Sequence, residues 1–394
     1  MELMKGYKQT EIGVIPDEWK LMTIDQIFEF HSTSNYSKAE MLPEGEIGCF
    51  HYGLIHSLPN NNYDIRTGVK YFITKQQAKY EFIRDGDVVM VDASEDLSGV
   101  NKSIEISDVE DKLFISGLHT YLLRDRGFFE KYFRGPILNA YFTKAQFYRL
   151  AVGMKVYGVS KQQLKTVLLP IPSKSEQTEI ANALSDADTY ITNLEKLLEK
   201  KRLIKQGAMQ ELLKPKDAWE IKKLGDITEI YTGKKNNQDK VFDGDYPFFV
   251  RSQTIERINS YSFDGEAILI PGEGNIGKIF HYINGKFDFH QRVYKISNFS
   301  KGYFGKYVYR YLSEYFGAHA MENSVKATVD SLRLPTFQNF QIPFPPSYEE
   351  QVTIAQILSD IDEELALLNL KLSKAKSIKQ GMMQNLLTGK IRLI

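Results

Sequence analysis

The sequence predicts an α+β chain in which two β-rich blocks alternate with two long antiparallel coiled-coil helices, so that one chain imitates a two-fold pair. Three observations predict it. One 38-residue segment occurs twice, its apolar residues follow a heptad rather than a strand period, and the two stretches outside it are rich in short β-type runs and aromatics.

The repeat comes first because it sets the architecture. Glu176 to Leu213 aligns without a gap onto Glu350 to Leu387, 174 residues later, and 19 of 38 positions are identical, which makes the two segments copies. Both open Glu-Gln (Glu176-Gln177, Glu350-Gln351) after a proline-bearing stretch, Pro170-Ile171-Pro172 and Pro343-Phe344-Pro345-Pro346. Both carry Ser-Asp-x-Asp (Ser185, Asp186, Asp188; Ser359, Asp360, Asp362) and close on Ile-Lys-Gln-Gly-x-Met-Gln-x-Leu-Leu.

Within each copy the apolar positions are spaced as a coiled-coil seam requires: Ile180, Leu184, Ala187, Ile191, Leu194 and Leu198, then Ile354, Leu358, Ile361, Leu365, Leu368 and Leu372. No proline or glycine interrupts either run before Gly207 and Gly381. About 40 helical residues span about 60 Å. So narrow a seam needs a partner, and the other copy is the obvious one. The first helix leads from block one into block two and the second must run back, so the pair is antiparallel and its midpoint a pseudo-two-fold axis. The matched Lys205-Gln206-Gly207 and Lys379-Gln380-Gly381 fall outside the seam, which suggests two equivalent docking faces for a second protein. Glycine within a helix costs about 1 kcal/mol relative to alanine, so close packing or a helix break is expected at Gly207 and Gly381.

These helices divide the chain into residues 1–172, 173–214, 215–346 and 347–394. The two blocks open alike, on Pro16-Asp17-Glu18-Trp19 and Pro215-Lys216-Asp217-Ala218-Trp219, with Ile27 matching Ile227. Beyond that they diverge. Val88-Val89-Met90-Val91 and Ala267-Ile268-Leu269-Ile270 read as strands, and Phe and Tyr are frequent, as sheet packing favours.

The bulk composition is that of an ordinary folded protein: 394 residues, 42% apolar and 25% charged. Cys49 stands alone, which excludes a disulfide framework or cysteine-based zinc site and points to a reducing, cytoplasmic compartment. The N-terminus lacks a signal-peptide core, and no run approaches the roughly 18–20 apolar residues of a membrane span. Net charge is zero, which argues weakly against a nucleic-acid binder, although local patches matter more than the sum.

No motif supports catalysis, a cofactor or a metal. Gly272-Glu273-Gly274-Asn275-Ile276-Gly277-Lys278 approaches a phosphate-binding loop, but Ile279 stands where magnesium needs Ser or Thr. The following Ile279 to Ile283 reads as a strand ending in an Asn284-Gly285 turn, which leaves Asn275 and Lys278 exposed at a loop tip. Pro345-Pro346 lacks the flanks of an amino-methyltransferase loop. Asp92, Glu95 and Asp96 lack a nuclease pattern and read as solvated. The histidines, among them His51, His56, His119, His281 and His290, show no metal-ligand spacing.

The blocks offer base-reading side chains instead: Arg and Lys suit guanine, Asn and Gln suit adenine, and Ser and Thr adapt. Block one carries Ser34, Asn35, Asn101, Lys102, Lys155 and Tyr157 in expected loops. Block two carries Thr232, Lys234, Lys235, Arg251, Gln253, Asn275, Lys278, Gln291, Arg292, Lys326 and Thr328. Any one of these is also what an ordinary polar turn contains.

Taken in order along the whole chain, these phrases resemble the specificity subunit of type I restriction–modification systems. The opening Tyr7-Lys8-Gln9-Thr10-Glu11-Ile12-Gly13-Val14-Ile15-Pro16, the two helix starts, the two Ile-Lys-Gln-Gly exits and Ser324 to Leu332 carry the likeness. The resemblance implies that each block is a target recognition domain reading one half of a split sequence in double-stranded DNA. It implies that the helices space the halves and bind two modification subunits, which bring S-adenosylmethionine. An ATP-dependent restriction subunit joins them. The chain itself then supplies an address and no catalysis, and its zero net charge leaves much phosphate contact to those partners. The alternative is a non-catalytic coiled-coil scaffold joining two protein- or ligand-binding β-rich domains.

Overall fold

A computed structural model describes residues 5–77, 79–110, 112–324 and 331–393. The chain forms two compact units, Met1–Glu195 with Lys371–Ile394, and Lys196–Leu370. The two long helices, Lys174–Leu212 and Tyr348–Leu386, each contribute one half to each unit.

The first unit is built on a five-stranded sheet in the order Phe28–His31, Thr120–Asp125, Val88–Val91, Ser103–Ser107, Asn62–Asp64. Its pairings are antiparallel except for the last, which is parallel. Side chains alternate across a strand, and Val88-Val89-Met90-Val91 uses both faces. Val88 and Met90 enter one core with Phe129, Phe133 and Phe147; Val89 and Val91 enter another with Phe50, Ile104 and Ile106. A three-stranded sheet, Leu113–Ser116, Ile47–Phe50 and Phe72–Ile73, lies beyond.

The second unit holds a six-stranded sheet in the order Glu229–Thr232, Val293–Ser297, Phe263–Pro271, His281–Phe289, Tyr246–Phe249, Glu256–Ile258. The same logic applies to its central strand. Ile268 and Ile270 face a core with Tyr307 and Phe316, while Ala267 and Leu269 face one with Phe249 and Phe287. The expected Asn284-Gly285 turn does not form. Gly285 pairs with Gly265 inside a continuous ladder, both with left-handed φ (+141° and +147°), and the chain reverses at Gly272–Phe280 instead. Two facing glycines let the ladder continue where an Asn-Gly pair alone would signal a reversal.

Both units close in the same way. The strand after each tryptophan pairs antiparallel with the strand that ends the block: Lys20–Thr23 with Leu168–Ile171, and Glu220–Lys223 with Gln341–Phe344. Ser173 and Ser347 then cap the long helices, each hydroxyl accepting the N–H of the glutamate three residues on (3.3 and 3.0 Å). The next residue grips its own block. The Gln177 amide donates to Phe128 O and accepts from Glu130 N; the Gln351 amide donates to Gly302 O and accepts from Phe304 N. Those partners are again 174 residues apart, so the duplication extends into blocks whose sequences no longer show it.

In each unit the helix halves run antiparallel. In the first, Lys379 pairs with Asp188 and Lys376 with Glu195 (2.7 Å), partners moving in opposite directions along the two helices. In the second, Lys201 pairs with Glu364 (2.7 Å) and Lys205 with Asp362 (2.6 Å). The seam is less purely helix against helix than its period suggests. Ile180 and Leu184 enter the first block's core together with Leu386 and Leu387, and Ile354 and Leu358 enter the second with Met209 and Leu213. Ile191, Leu194, Leu198 and Leu368 are buried, while Ala187, Ile361, Leu365 and Leu372 are half-buried.

Asp362 also takes an ion pair from Arg310. Burial alone would raise its pKa, but Lys205 and Arg310 hold it below the ordinary carboxylate value. A depressed carboxyl binds protons more weakly in the fold than in the unfolded chain. Its stabilisation is therefore complete above about pH 4 and lost as pH falls through the folded value. Asp362→Asn is expected to flatten the acid limb of thermal stability as pH falls below about 4; an unchanged limb would count against this pairing.

Candidate nucleic-acid interface

In the second unit, four loops that are distant in sequence meet at one end of the sheet's strands. Lys235 forms a parallel bridge with His290, and its carbonyl accepts from Gln291 N (2.8 Å). The Gln291 amide in turn donates to Asn236. Gly272 N donates to Arg292 O (2.8 Å), and the His281 ring lies 3.1 Å from Ser252 O, tying in the Arg251–Gln253 loop. Glu273 lies between two guanidiniums, 3.4 Å from Arg251 and 3.1 Å from Arg292. One carboxylate offsets the repulsion of two cations held side by side, and both arginines remain about half exposed with donors to spare. His290 Nδ1 accepts from Arg292 N (2.9 Å), and its pKa is lowered by burial and then by both arginines.

Of the expected residues here, Thr232, Lys234, Arg251, Gln253, Asn275, Lys278, Gln291 and Arg292 are exposed and Lys235 is half-buried. Asn275 and Lys278 stand on the glycine-rich loop that carries Glu273. That loop is tight because Gly277 (φ +66°) meets Gly317, where a Cβ would come within 2.8 Å of backbone. Lys326 and Thr328 lie outside the described residues. The flanking Ser331 bridges to Glu273.

The first unit presents an open cleft of about 650 Å³ lined by Tyr52, Gly53, His56, Ala93 to Asp96, Ser98, Gly99, Lys102, His119 and Val156. Tyr52 packs among the rings of His51, His56 and His119, at 4.3, 6.3 and 5.5 Å between centroids. His119 Nδ1 lies 3.2 Å from Asp92, whose pKa burial raises despite that neighbour. Burial lowers the pKa of Lys102, whose ammonium donates to His56 O (3.0 Å) and Leu58 O. Among the described residues no three His, Cys, Asp or Glu come together as a metal site would require.

Several expected site residues need correction. Asn101 is fully buried with left-handed φ (+52°), and its amide donates to Val91 O (3.1 Å), so it shapes the turn and reaches no base. Ser34 is buried against Cys49. Lys102 spends its donors on carbonyls. Asn35 and Lys155 are exposed, and Tyr157 is half-buried in a short strand paired with Ser94. Lys205 and Lys379 are not free surface groups, since they form the matched ion pairs with Asp362 and Asp188. Gly207 and Gly381 neither break a helix nor pack closely. Both helices run through them, and a Cβ there would meet nothing within 4 Å.

Sequence reading set His56 and His119 aside as lacking metal-ligand spacing and Asp92 as solvated, and it missed both Tyr52 and the place of Glu273 between two arginines. No local signal could have grouped the cleft residues, because Tyr52, His56 and His119 lie more than twenty residues from the Asp92 to Asp96 loop in sequence. Asp96 itself is structural, accepting from Gly99 N at 2.7 Å.

The family model for the type I restriction modification DNA specificity domain matches residues 16–206 and 216–377. The chain is similar to the putative type I restriction enzyme MjaX specificity subunit of Methanocaldococcus jannaschii, 24% identical over 99% of this chain and 97% of that protein. It is 28% identical to the type I restriction enzyme EcoDI specificity subunit of Escherichia coli, over 43% of this chain and 37% of that one. In fold it is similar to the crystal structure of a type I restriction–modification S subunit from M. genitalium, with TM-score 0.63, 18% identity and 98% of each chain covered. A chain solved in work on complex assembly and conformational transition of the type I system aligns with TM-score 0.57 and 16% identity, covering 96% of this chain and 99% of that one.

Proposed function

Because the chain belongs to the type I restriction–modification DNA specificity family, we propose that its two β-rich units each read one half of a bipartite duplex DNA target. On this reading the helix pair sets the gap between the halves and offers docking sites to two modification subunits. Within that family the chain is a specificity subunit, the non-catalytic component that recognises DNA. Methyl transfer then belongs to the modification subunits and ATP-driven cleavage to the restriction subunits.

One observation carries the reading. Much of what frames the two units is duplicated, including the serine caps, the glutamine grips and the Asp188–Lys379 and Asp362–Lys205 pairs, whereas their exposed polar loops differ. Identical frames suit identical partners, and unlike loops suit unlike half-sites. The bare backbone at Gly207 and Gly381 supports the docking role. A helix gains nothing internally from an unpacked glycine, so its use is better sought in a partner that approaches closely. The scaffold alternative explains the duplication but gives no role to the loops.

Half-sites read from one face of B-DNA lie about one turn, roughly 34–36 Å, apart. Helices of 39 residues are about 60 Å long, enough to hold readers at that spacing. Inserting one heptad into both helices, about 10 Å of added rise, is expected to lengthen the unspecified gap in the methylated sequence by about three base pairs. Methylome sequencing reads the gap directly. Unchanged half-sites with an unchanged gap would refute the spacing role.

A further inference from the structure

In the first unit, Val152 and Gly158 exchange backbone hydrogen bonds at 3.0 and 3.1 Å, closing a small hairpin whose tip is Gly153 to Tyr157. Gly153 is obligatory there. Its φ is +149°, and a Cβ would lie 1.8 Å from Val156 O. The tip is apolar where a solvent-facing turn is usually polar. Met154 is 96% exposed, Val152 71% and Val156 53%. Such clustered exposure marks a contact surface rather than a fold requirement.

The surroundings indicate what it meets. From Lys131 to Ser175 the chain carries eight Lys or Arg and no Asp or Glu, although the whole protein is neutral. Several of these cations are paired, but Arg149, Lys155 and Lys161, which bracket the hairpin, have no carboxylate partner within salt-bridge distance among the described residues. Val156 also lines the Tyr52–His119 cleft. An apolar tip that carries Lys155, is flanked along the chain by cations without carboxylate partners, and lies beside a polar cleft complements a polyanion with a stacked apolar interior.

Resting on the reading above, we propose that the Val152–Val156 tip is a wedge, with Met154 inserted between two base pairs of the first half-site while Arg149, Lys155 and Lys161 hold the flanking phosphates. Apolar side chains driven into a base step unstack it and bend the duplex, and the added contacts offset the lost stacking. The chain then recognises how readily one step opens as well as which bases flank it.

The test uses the chain assembled with its modification subunits and duplexes carrying the methylated target, with 2-aminopurine scanned through the first half-site. Wild type is expected to raise the fluorescence at one step, and Met154→Ala to abolish the rise and weaken binding about tenfold. A duplex already mismatched at that step should bind both proteins within about twofold, since its unstacking is done in advance. The melting temperature should not move, because Met154 is exposed. Wild-type affinity and fluorescence in Met154→Ala, with target preference intact, would overturn the wedge alone. Failure of wild type to prefer its target over a scrambled duplex would overturn the reading beneath it. Weaker assembly with the modification subunits would assign the tip to a protein contact and overturn the wedge as well.

Discussion

Arg134→Ala is expected to cost the first unit about 3–5 kcal/mol, the range for stranding buried charge. Arg134 reaches Glu105 (2.8 Å) and Asp125 (3.2 Å), both almost completely buried. Glu105 also accepts the backbone N–H groups of Tyr132, Arg134 and Gly135, and Asp125 accepts those of Phe128 and Phe129. The two carboxylates thus organise the turn that delivers Phe129 and Phe133 to the core. Burial already pushes the Glu105 pKa up, with Arg134 acting against it. Without the guanidinium, one carboxylate must protonate or drag water inward. Lysine should rescue only partly, since it cannot make the forked contact. Thermal unfolding should show an earlier transition for this unit, while methylation specified by the second half-site is lost only through failure of the whole complex. A melting curve identical to wild type would mean the network contributes nothing net.

Exchanging residues 215–346 for the corresponding block of another family member is expected to replace one half of the methylated sequence completely. The other half and the gap should stay as they were. The expectation is physical as well as familial. The second block's core is completed by Ile354, Ala355 and Leu358 from one helix and Met209 and Leu213 from the other. The matching positions in the first unit are Ile180, Ala181, Leu184, Met383 and Leu387, so the helices present the same surface to both blocks. A foreign block built for that surface finds its contacts in place, including the glutamine that grips it. Only the loops around Arg251, Glu273 and Arg292 change, and with them the donors offered to bases, where each good bidentate pair discriminates by about 1–3 kcal/mol. Methylome sequencing distinguishes the outcomes. A change in both halves would sink the two-reader account.

Periodicity made the frame legible. Ile180 to Leu198 had to be helix because a heptad repeat buries no consistent face in any other structure, and Val88 to Val91 and Ala267 to Ile270 had to be strands facing cores on both sides. The site was legible in part. Arg251, Gln291 and Arg292 are exposed as expected because short polar stretches between strand-forming aromatic and β-branched runs occupy loops. Asn101 and Ser34 are equally polar and are buried, since a short polar side chain can be satisfied inside the fold by a distant partner, Val91 O for Asn101 and Cys49 for Ser34, as readily as by a ligand. Lys205 and Lys379 looked external because heptad counting assigns faces from one helix, whereas an ion pair depends on where the second helix places its carboxylate.

What the sequence determined by itself is the duplication, the helices with their antiparallel sense, and the family, because each rests on order along the chain. What tertiary structure alone decided is which polar groups are free. Glu273 between two arginines, Tyr52 among three histidines and Met154 at a hairpin tip each depend on segments far apart in sequence being folded into contact or left bare. Local pattern encodes periodicity, since backbone geometry imposes it every few residues. Exposure and pairing are properties of the packed whole, and no short stretch of chain contains them.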